Sequence, residues 1–187
     1  GRLDHVSLKV EAGTAMALIG ANGAGKSSLL HALAGRLRVR RGHVHVFGGR
    51  PRRREASQLR AYVPQRIDLP HHLRVGEVLG TAARARGAGR TEVGRQAERM
   101  GLEDLLGVRL GRLSGGVQQR VALAAGLMGA PPLWLLDEPA SALDAGGLAR
   151  LAAWVTAHVE AGGTVVTSAH RPEEVDAFAR VACLLQE

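Results

Sequence analysis

Apolar residues along the chain fall into short continuous runs separated by longer stretches with a helical period. The runs at 15–19, 133–136 and 164–168 are bounded by glycine, proline or polar residues, which is typical of buried strands. Two further runs, at 61–63 and 181–185, predict strands of the same kind. Because helical stretches separate most of these strands, the pattern predicts an α/β fold with a mostly parallel sheet covered by helices on both faces.

Two other segments alternate apolar and polar residues. Residues 5–10 and 42–47 each show a period of two, which is typical of strands with one buried face. We expect these segments to form a small antiparallel β portion beside the parallel sheet.

Helical periodicity dominates the middle of the chain. From about residue 66 to residue 130 the strand pattern disappears, and apolar residues recur at helical spacing. We expect one domain over 1–187, in which a core formed by 1–65 and 131–187 carries an inserted helical lobe at 66–130. The expected helices are 26–35, a helix around 148–159 and 173–179 in the core, and 75–86, 91–100, 102–107 and 114–129 in the lobe.

The composition narrows the class of protein. A chain of 187 residues can bury about 70% of its unfolded surface, and its single cysteine, Cys183, cannot form an internal disulfide. The formal net charge of +8 comes mainly from scattered arginines, and only 3% of residues are aromatic, so a base-stacking surface for nucleic acid is not expected. No apolar stretch approaches the ~20 residues of a membrane-spanning helix. These features predict a soluble cytoplasmic protein that does not bind nucleic acid.

The segment 20–27 carries the strongest chemical signal. It reads Gly-Ala-Asn-Gly-Ala-Gly-Lys-Ser between a strand and a helix, and it matches the phosphate-binding pattern GxxxxGK[ST], the P-loop. Glycines let successive N–H groups point into one concavity, and the helix directs its positive N-terminal end there. Lys26 adds a charge for the outer phosphates, and the Ser27 hydroxyl can hold Mg²⁺. The residues expected to bind the nucleotide here are Asn22, Gly23, Ala24, Gly25, Lys26, Ser27 and Ser28.

Two adjacent acids follow the apolar run at 133–136. Asp137 and Glu138 lie at the carboxyl end of this predicted strand, where α/β sheets place their ligands. In P-loop ATPases the acid of this strand organises Mg²⁺, so we assign that role to Asp137. Glu138 is then placed to polarise a water for attack on the γ-phosphate. A solvated turn would explain two acids alone, but not their combination with a P-loop.

A third motif begins a predicted helix at Ser114-Gly115-Gly116. Ser114 is expected to be the N-cap, and a cap alone would account for the serine. The two glycines also expose N–H groups at the helix N-terminus, which makes a second anion site. Two phosphate-binding helix ends in one chain suggest that two chains share each nucleotide.

Together these motifs resemble the ATP-binding cassette (ABC) ATPases over nearly the whole chain and in the family's order. Residues 20–27 resemble Walker A, 113–120 the signature, and 133–138 Walker B with the catalytic glutamate. The shorter motifs are Gln65 as the Q-loop glutamine, residues 141–144 as the D-loop and His170 as the switch histidine.

The resemblance implies that two cassettes pack head to tail with two ATPs between them. Each ATP would contact the P-loop of one chain and Ser114, Gly115 and Gly116 of the other. Asp144 of the D-loop completes the residues implied in nucleotide binding.

The resemblance also implies how the reaction is carried out, with ATP and Mg²⁺ as cofactors. Glu138 would act as general base, and His170 would hold the γ-phosphate. Gln65 would sense both Mg²⁺ and the transport partner, which places it among the catalytic residues. The implied metal ligands are Ser27, Gln65 and Asp137.

Two features depart from the family pattern. Val117 stands where the family usually has a glutamine that closes the signature, and valine cannot donate that side-chain hydrogen bond. We therefore expect weaker or asymmetric contacts across the dimer, with activity retained. The family also usually has an aromatic residue that stacks on adenine before the first strand. In this sequence no aromatic residue precedes Phe47. Without the aromatic residue that stacks on adenine, binding would lose about 1–3 kcal/mol of stacking.

The implied function is that of an ATPase subunit at the cytoplasmic face of a membrane, docked on separate transmembrane permease subunits. Its second cassette would be a copy of this chain or a related chain. The short chain after His170 and the run at 69–75 resemble ATPases of small bacterial drug or haem exporters, which favours export. A metal-ion importer, and a non-transport ATPase such as one of iron–sulfur assembly, remain open alternatives.

Overall fold

Five parallel strands form one sheet in the computed structural model, which describes residues 6–52 and 57–169 and the backbone of 181–184. The strands are β1 (Ala15–Ile19), β2 (Arg60–Val63), β3 (Leu133–Leu136), β4 (Thr164–Ser168) and β5 (Val181–Leu184). Their order across the sheet is β2-β3-β4-β1-β5, and every pairing is parallel. This confirms the predicted α/β class and brings the carboxyl ends of the strands to one edge.

The helices lie close to their predicted positions. They are α1 (Lys26–Leu33), α2 (Val75–Ala85), α3 (Arg90–Met100), α4 (Gly115–Gly126) and α5 (Ala145–Glu160). The predicted helix at 102–107 is instead a short 3₁₀ turn, Glu103–Leu105, because the bounding glycines leave room for little more than one turn. The predicted helix at 173–179 lies outside the described residues. None of the helices that the structure describes is long and apolar enough to cross a bilayer.

One hydrophobic cluster joins the sheet to the helices between β2 and β3. Trp134 of β3, Leu123 of α4 and Met100 of α3 belong to it, and each is fully buried. The helices α2, α3 and α4 pack against one another, and α4 also packs on β2. Because the cluster crosses both predicted boundaries, the division into a core at 1–65 and 131–187 and a lobe at 66–130 stays a prediction.

Aromatic stacking fixes α5 to β3. The Trp134 ring lies 3.7 Å from the His158 ring with an interplanar angle of 7°, and it meets the Trp154 ring edge-on at 5.0 Å. Burial lowers the pKa of His158 below its ordinary 6.5, and the Arg99 guanidinium lowers it too, while the Pro132 carbonyl raises it. His158 therefore stacks as a neutral imidazole at pH 7.

The predicted strands at 5–10 and 42–47 are wrong for the residues that the structure describes there. Residues 6–10 have no strand pairing, and a single antiparallel bridge joins Val46 to Gly49. Apolar side chains of both segments still line one cavity of about 420 Å³ together with Leu29 of α1. The alternation thus predicted which side chains turn inward. Among the described residues no third strand lies beside these two short segments, and an isolated pair of strands is at best marginally stable in water.

Candidate functional site

The loop after β1 curls through glycines in the left-handed backbone region. Gly23 and Gly25 have φ values of 91° and 92°, which glycine adopts without strain. A side chain at Gly23 would meet open space, so the backbone of the loop can be approached closely by a ligand. Gly25 is the N-cap of α1 and provides no side-chain cap to the helix. Helix N–H groups without a side-chain cap are suited to bind phosphate.

Lys26 lies inside this curl. The residue is only 5% exposed. Its Nζ donates hydrogen bonds to the carbonyl oxygens of Gly20 at 2.6 Å and Ala21 at 3.0 Å. These bonds offset the cost of desolvating the ammonium group. The charge is thereby held in the concavity where the sequence predicts the outer phosphates.

Asp137 connects the P-loop to the sheet. The residue is 4% exposed, and its Oδ1 accepts hydrogen bonds from the hydroxyls of Ser27 at 3.1 Å and Ser168 at 2.7 Å. The structure therefore brings together Ser27 and Asp137, two of the three predicted metal ligands. Hydroxyl and carboxylate oxygens are the donors that Mg²⁺ prefers.

A tyrosine approaches the second oxygen of the same carboxylate. The Tyr62 hydroxyl lies 3.4 Å from Oδ2 of Asp137 and 2.9 Å from Nε2 of His31. Burial raises the pKa of Tyr62 to about 12, the Asp137 carboxylate raises it too, and the Arg36 guanidinium lowers it. The phenol therefore keeps its hydrogen throughout the physiological pH range.

One buried serine holds both acids. Glu138 has a φ of 45°, an uncommon conformation for a residue other than glycine. Its backbone N–H donates to the Ser168 hydroxyl at 2.8 Å, and the same hydroxyl donates to Asp137 at 2.7 Å. The Gln65 side-chain amide donates to the Glu138 carboxylate. Gln65 and Glu138 are therefore in direct contact, with the carboxylate turned towards the end of β2.

Sequence reasoning missed Ser168, Tyr62 and His31. A signal for Ser168 was present, since it is a polar residue at the end of an apolar strand. Leu136 pairs with Thr167 in the β3–β4 register, so the next pair places Ser168 beside Asp137. The contacts of Tyr62 and His31 depend on the packing of α1 on the sheet, where it contacts β3 and β4, and this packing leaves no local pattern in the sequence.

We expect Ser168→Ala to lower kcat for ATP hydrolysis by about 10-fold, since partners that orient a metal-binding group typically contribute that much or more. The variant removes the hydroxyl that accepts a hydrogen bond from the Glu138 N–H and donates one to Oδ1 of Asp137. Release of inorganic phosphate measures the change, and thermal unfolding checks the fold. Thr167→Val is the matched control, because it removes a buried hydroxyl whose hydrogen bond, among the residues that the structure describes, goes to the Ser168 backbone carbonyl in the same strand. Equal kcat values for the two variants would contradict the role of Ser168.

A second group of predicted residues lies at the start of α4. Ser114 caps this helix by accepting a hydrogen bond from the Val117 N–H at 3.5 Å, and Ser114 and Gly115 are exposed. A side chain at Gly116 would come within 2.8 Å of the Ala142 carbonyl oxygen. The glycine thus allows the helix to pack on the loop that precedes α5.

The remaining predicted residues have separate positions. Asp144 caps α5 by accepting a hydrogen bond from the Gly147 N–H at 2.7 Å. Val117 is half-buried against the hydrophobic cluster, which accounts for an apolar residue at this position of the signature.

Two predicted residues of the P-loop region remain. Asn22 is exposed on the P-loop, and Ser28 lies in the first turn of α1. His170 lies outside the described residues.

Comparison with known proteins places these motifs in a family. Residues 3–141 match the family model described as ABC transporter. The match includes the P-loop, Gln65, the Ser114 motif and the acid pair. The chain belongs to the ABC transporter family, and it is an ATP-binding subunit with ATPase activity.

Individual relatives agree with this assignment. The cytochrome c biogenesis ATP-binding export protein CcmA of Rhizobium meliloti (strain 1021) is 37% identical over 176 residues, which cover 90% of this chain and 84% of that protein. CcmA of Novosphingobium aromaticivorans is 41% identical over 167 residues, which cover 89% of this chain and 80% of that protein. A solved ATP-binding subunit of an ABC transporter has a TM-score of 0.88 at 28% identity and covers 98% of this chain and 79% of its own. The predicted family, fold and enzyme class are therefore confirmed.

Proposed function

We propose that this chain powers an exporter of the bacterial haem or drug type by closing with a second cassette around two ATPs. The observation that carries the hydrolytic role is one hydrogen-bonded series, Ser27–Asp137–Ser168–Glu138–Gln65, at the carboxyl edge of the sheet. The relatives named as export proteins of cytochrome c biogenesis support the direction of transport.

The P-loop binds the nucleotide in this proposal. Bound ATP supplies the phosphoanhydride bond, and Mg²⁺ supplies positive charge to its phosphate oxygens. Lys26 and the N–H groups at the start of α1 hold the phosphates. Ser27, Asp137 and Gln65 would hold the metal. The hydroxyl and carboxylate oxygens already in contact fit such an ion.

Glu138 acts as the general base. It accepts a proton from the attacking water while the water oxygen bonds to the γ-phosphorus and the bond to the bridging oxygen of ADP breaks. The Gln65 amide directs the carboxylate, and the Ser168 hydroxyl fixes the backbone that carries it. We assign to His170 the role of holding the γ-phosphate.

The N-terminus of α4 binds the nucleotide held by the other cassette. Ser114 and Gly115 are exposed and available to a second chain, either a copy or a related protein. The backbone N–H groups of Gly115 and Gly116 are the donors, so the binding does not need a side chain at Val117. Asp144 lies in the loop packed against this helix end and joins the same interface.

Ser114→Arg tests the shared nucleotide. In a Glu138→Gln background that slows hydrolysis, we expect ATP and Mg²⁺ to produce a dimer, and we expect the added arginine to prevent it by filling the space before the helix. Size-exclusion chromatography with light scattering measures the mass. Thr91→Arg, at an exposed position in the first turn of α3, is the control. A dimer of full stability with Ser114→Arg would contradict the shared site.

Purification from native membranes tests the transport role. We expect the tagged chain to bring down transmembrane subunits, and the complex in vesicles to expel haem or a drug when ATP is supplied on the side of the cassettes. ATP-driven uptake of a metal ion would indicate the importer alternative. Recovery of soluble iron–sulfur assembly proteins alone would contradict transport.

A further inference from the structure

We propose that Tyr62 is a positioning residue for the carboxylate of Asp137, and that His31 determines where the phenol hydrogen points. The proposal rests on the proposed role of Asp137 as a metal ligand. It adds two residues, on β2 and on α1, to the set that prepares the site.

Three separate elements meet at the phenol. Tyr62 pairs with Leu135 in the β2–β3 register, which places it two residues before the acid along the neighbouring strand. Its hydroxyl lies 2.9 Å from Nε2 of His31 and 3.4 Å from Oδ2 of Asp137. The His31 and Tyr62 rings are tilted against each other, with 5.2 Å between their centres. The Arg36 guanidinium lies 4.6 Å from the centre of the Tyr62 ring. Ring contacts and strand pairing thus fix the phenol oxygen between Nε2 of His31 and Oδ2 of Asp137.

The phenol contacts with His31 and Asp137 depend on each other, because the phenol can donate its hydrogen to one of them at a time. A phenol carries one hydrogen. When Nε2 of His31 carries a hydrogen, it donates to the phenol oxygen, and the phenol donates to Asp137. When Nε2 carries none, the phenol donates to His31 and turns oxygen lone pairs towards the carboxylate. The first arrangement stabilises Oδ2, and the second repels it.

Oδ2 is the oxygen of Asp137 that needs such a partner. Oδ1 already accepts from two hydroxyls, those of Ser27 and Ser168. Among the described residues, Tyr62 alone makes a hydrogen bond to Oδ2. Removal of a partner that orients a metal-binding carboxylate usually lowers metal affinity by roughly 10–100-fold. The orientation of Oδ2 is thus the property that Tyr62 controls.

Tyr62→Phe in the full chain is the first test, because it keeps the ring and its contacts and removes only the hydroxyl. With Mn²⁺ as the probe and saturating ATP, we expect electron paramagnetic resonance to show about 10-fold weaker metal binding. ATP affinity without metal stays unchanged. Unchanged Mn²⁺ affinity would overturn the proposal, and so would an equal loss of metal-free ATP binding, which indicates a merely structural role. Failure of the unmodified chain to bind Mn²⁺ with ATP would instead remove the proposed metal site.

Variants of His31 test the relay. His31→Leu removes the partner of the phenol and weakens Mn²⁺ binding, whereas His31→Gln retains an N–H donor and restores most of it. In the Tyr62→Phe background His31→Leu has no further effect, because the group through which it acts is gone. Additive losses in the double variant would overturn the relay.

The tyrosine also gives a readout without metal or nucleotide. Tyr62 is the single tyrosine of the chain, so ¹³C labelling at Cζ yields one resonance. We expect this resonance to shift in Asp137→Asn and in His31→Leu, since both change the hydrogen bonds of the phenol. A resonance that stays in place in both variants would overturn the proposal.

Discussion

Glu138→Gln slows ATP hydrolysis by about 10²–10⁴-fold while ATP still binds, which is the range expected for removal of a general base. The variant keeps the size of the side chain and the backbone hydrogen bond to Ser168, but it removes the carboxylate that we propose as the acceptor of the proton from the attacking water. Single-turnover release of inorganic phosphate measures the chemical step. Calorimetric titration of ATP measures binding separately.

Glu103→Gln is the control for this change. Glu103 is exposed on the 3₁₀ turn after α3, so the variant removes one negative charge at a position that the proposed reaction does not use. Turnover by Glu138→Gln at the rate of this control would remove Glu138 from the mechanism. A loss of ATP affinity equal to the loss of rate would place the residue in binding instead of chemistry.

Lys26→Ala removes tight ATP binding, with an expected loss of affinity of about 100-fold. A charged hydrogen bond to phosphate contributes on the order of 1.5–3 kcal/mol, and the P-loop loses its single ammonium. Calorimetric titration of ATP without hydrolysis measures the affinity. Because Lys26 also bonds to the carbonyls of Gly20 and Ala21, thermal unfolding must show that the loop and α1 remain folded.

Lys9 provides a matched control for charge. It is the other lysine of the chain, its side chain is 85% exposed, and it forms a surface ion pair with Glu11. We expect Lys9→Ala to bind ATP like the unmodified chain, because an exposed pair contributes little. Normal ATP affinity in Lys26→Ala would contradict the phosphate site, and an equal loss in both variants would indicate a general effect of charge.

The parts of the fold that could be predicted are those in which local chemistry and long-range packing agree. The runs at 15–19 and 133–136 are apolar on both faces, so no pairing except a buried parallel one suits them. The glycines and the Lys-Ser pair in the segment 20–27, which follows the first run, allowed a single interpretation of that turn, a phosphate-binding loop. The strand predicted at 42–47 was wrong because a period of two shows only which side chains face inward. A ladder of hydrogen bonds also requires a partner strand.

The contacts that prepare the acids could not be found in the same way. Ser168 meets Asp137 across 31 residues of sequence, and Tyr62 meets it across 75. Neither separation has a periodic or motif signal, because the contact depends on strand order in the sheet. Only the rule that parallel strands end at one edge would have placed Ser168 near the acids, and that rule requires the order β3-β4 to be known.

The ring stack between β3 and α5 has a mechanical consequence. Each buried tryptophan covers about 150–250 Å² of surface, so sliding the helix along the strand would expose a large apolar area. The acid pair directly follows β3, and Asp144 is the N-cap of α5. Loop 141–144 thus connects the two carboxylates to a helix that is anchored on the strand that precedes them. In the proposed dimer, a neighbouring cassette that displaced this loop would also displace Asp137 and Glu138, and we therefore expect each cassette to affect ATP cleavage in the other.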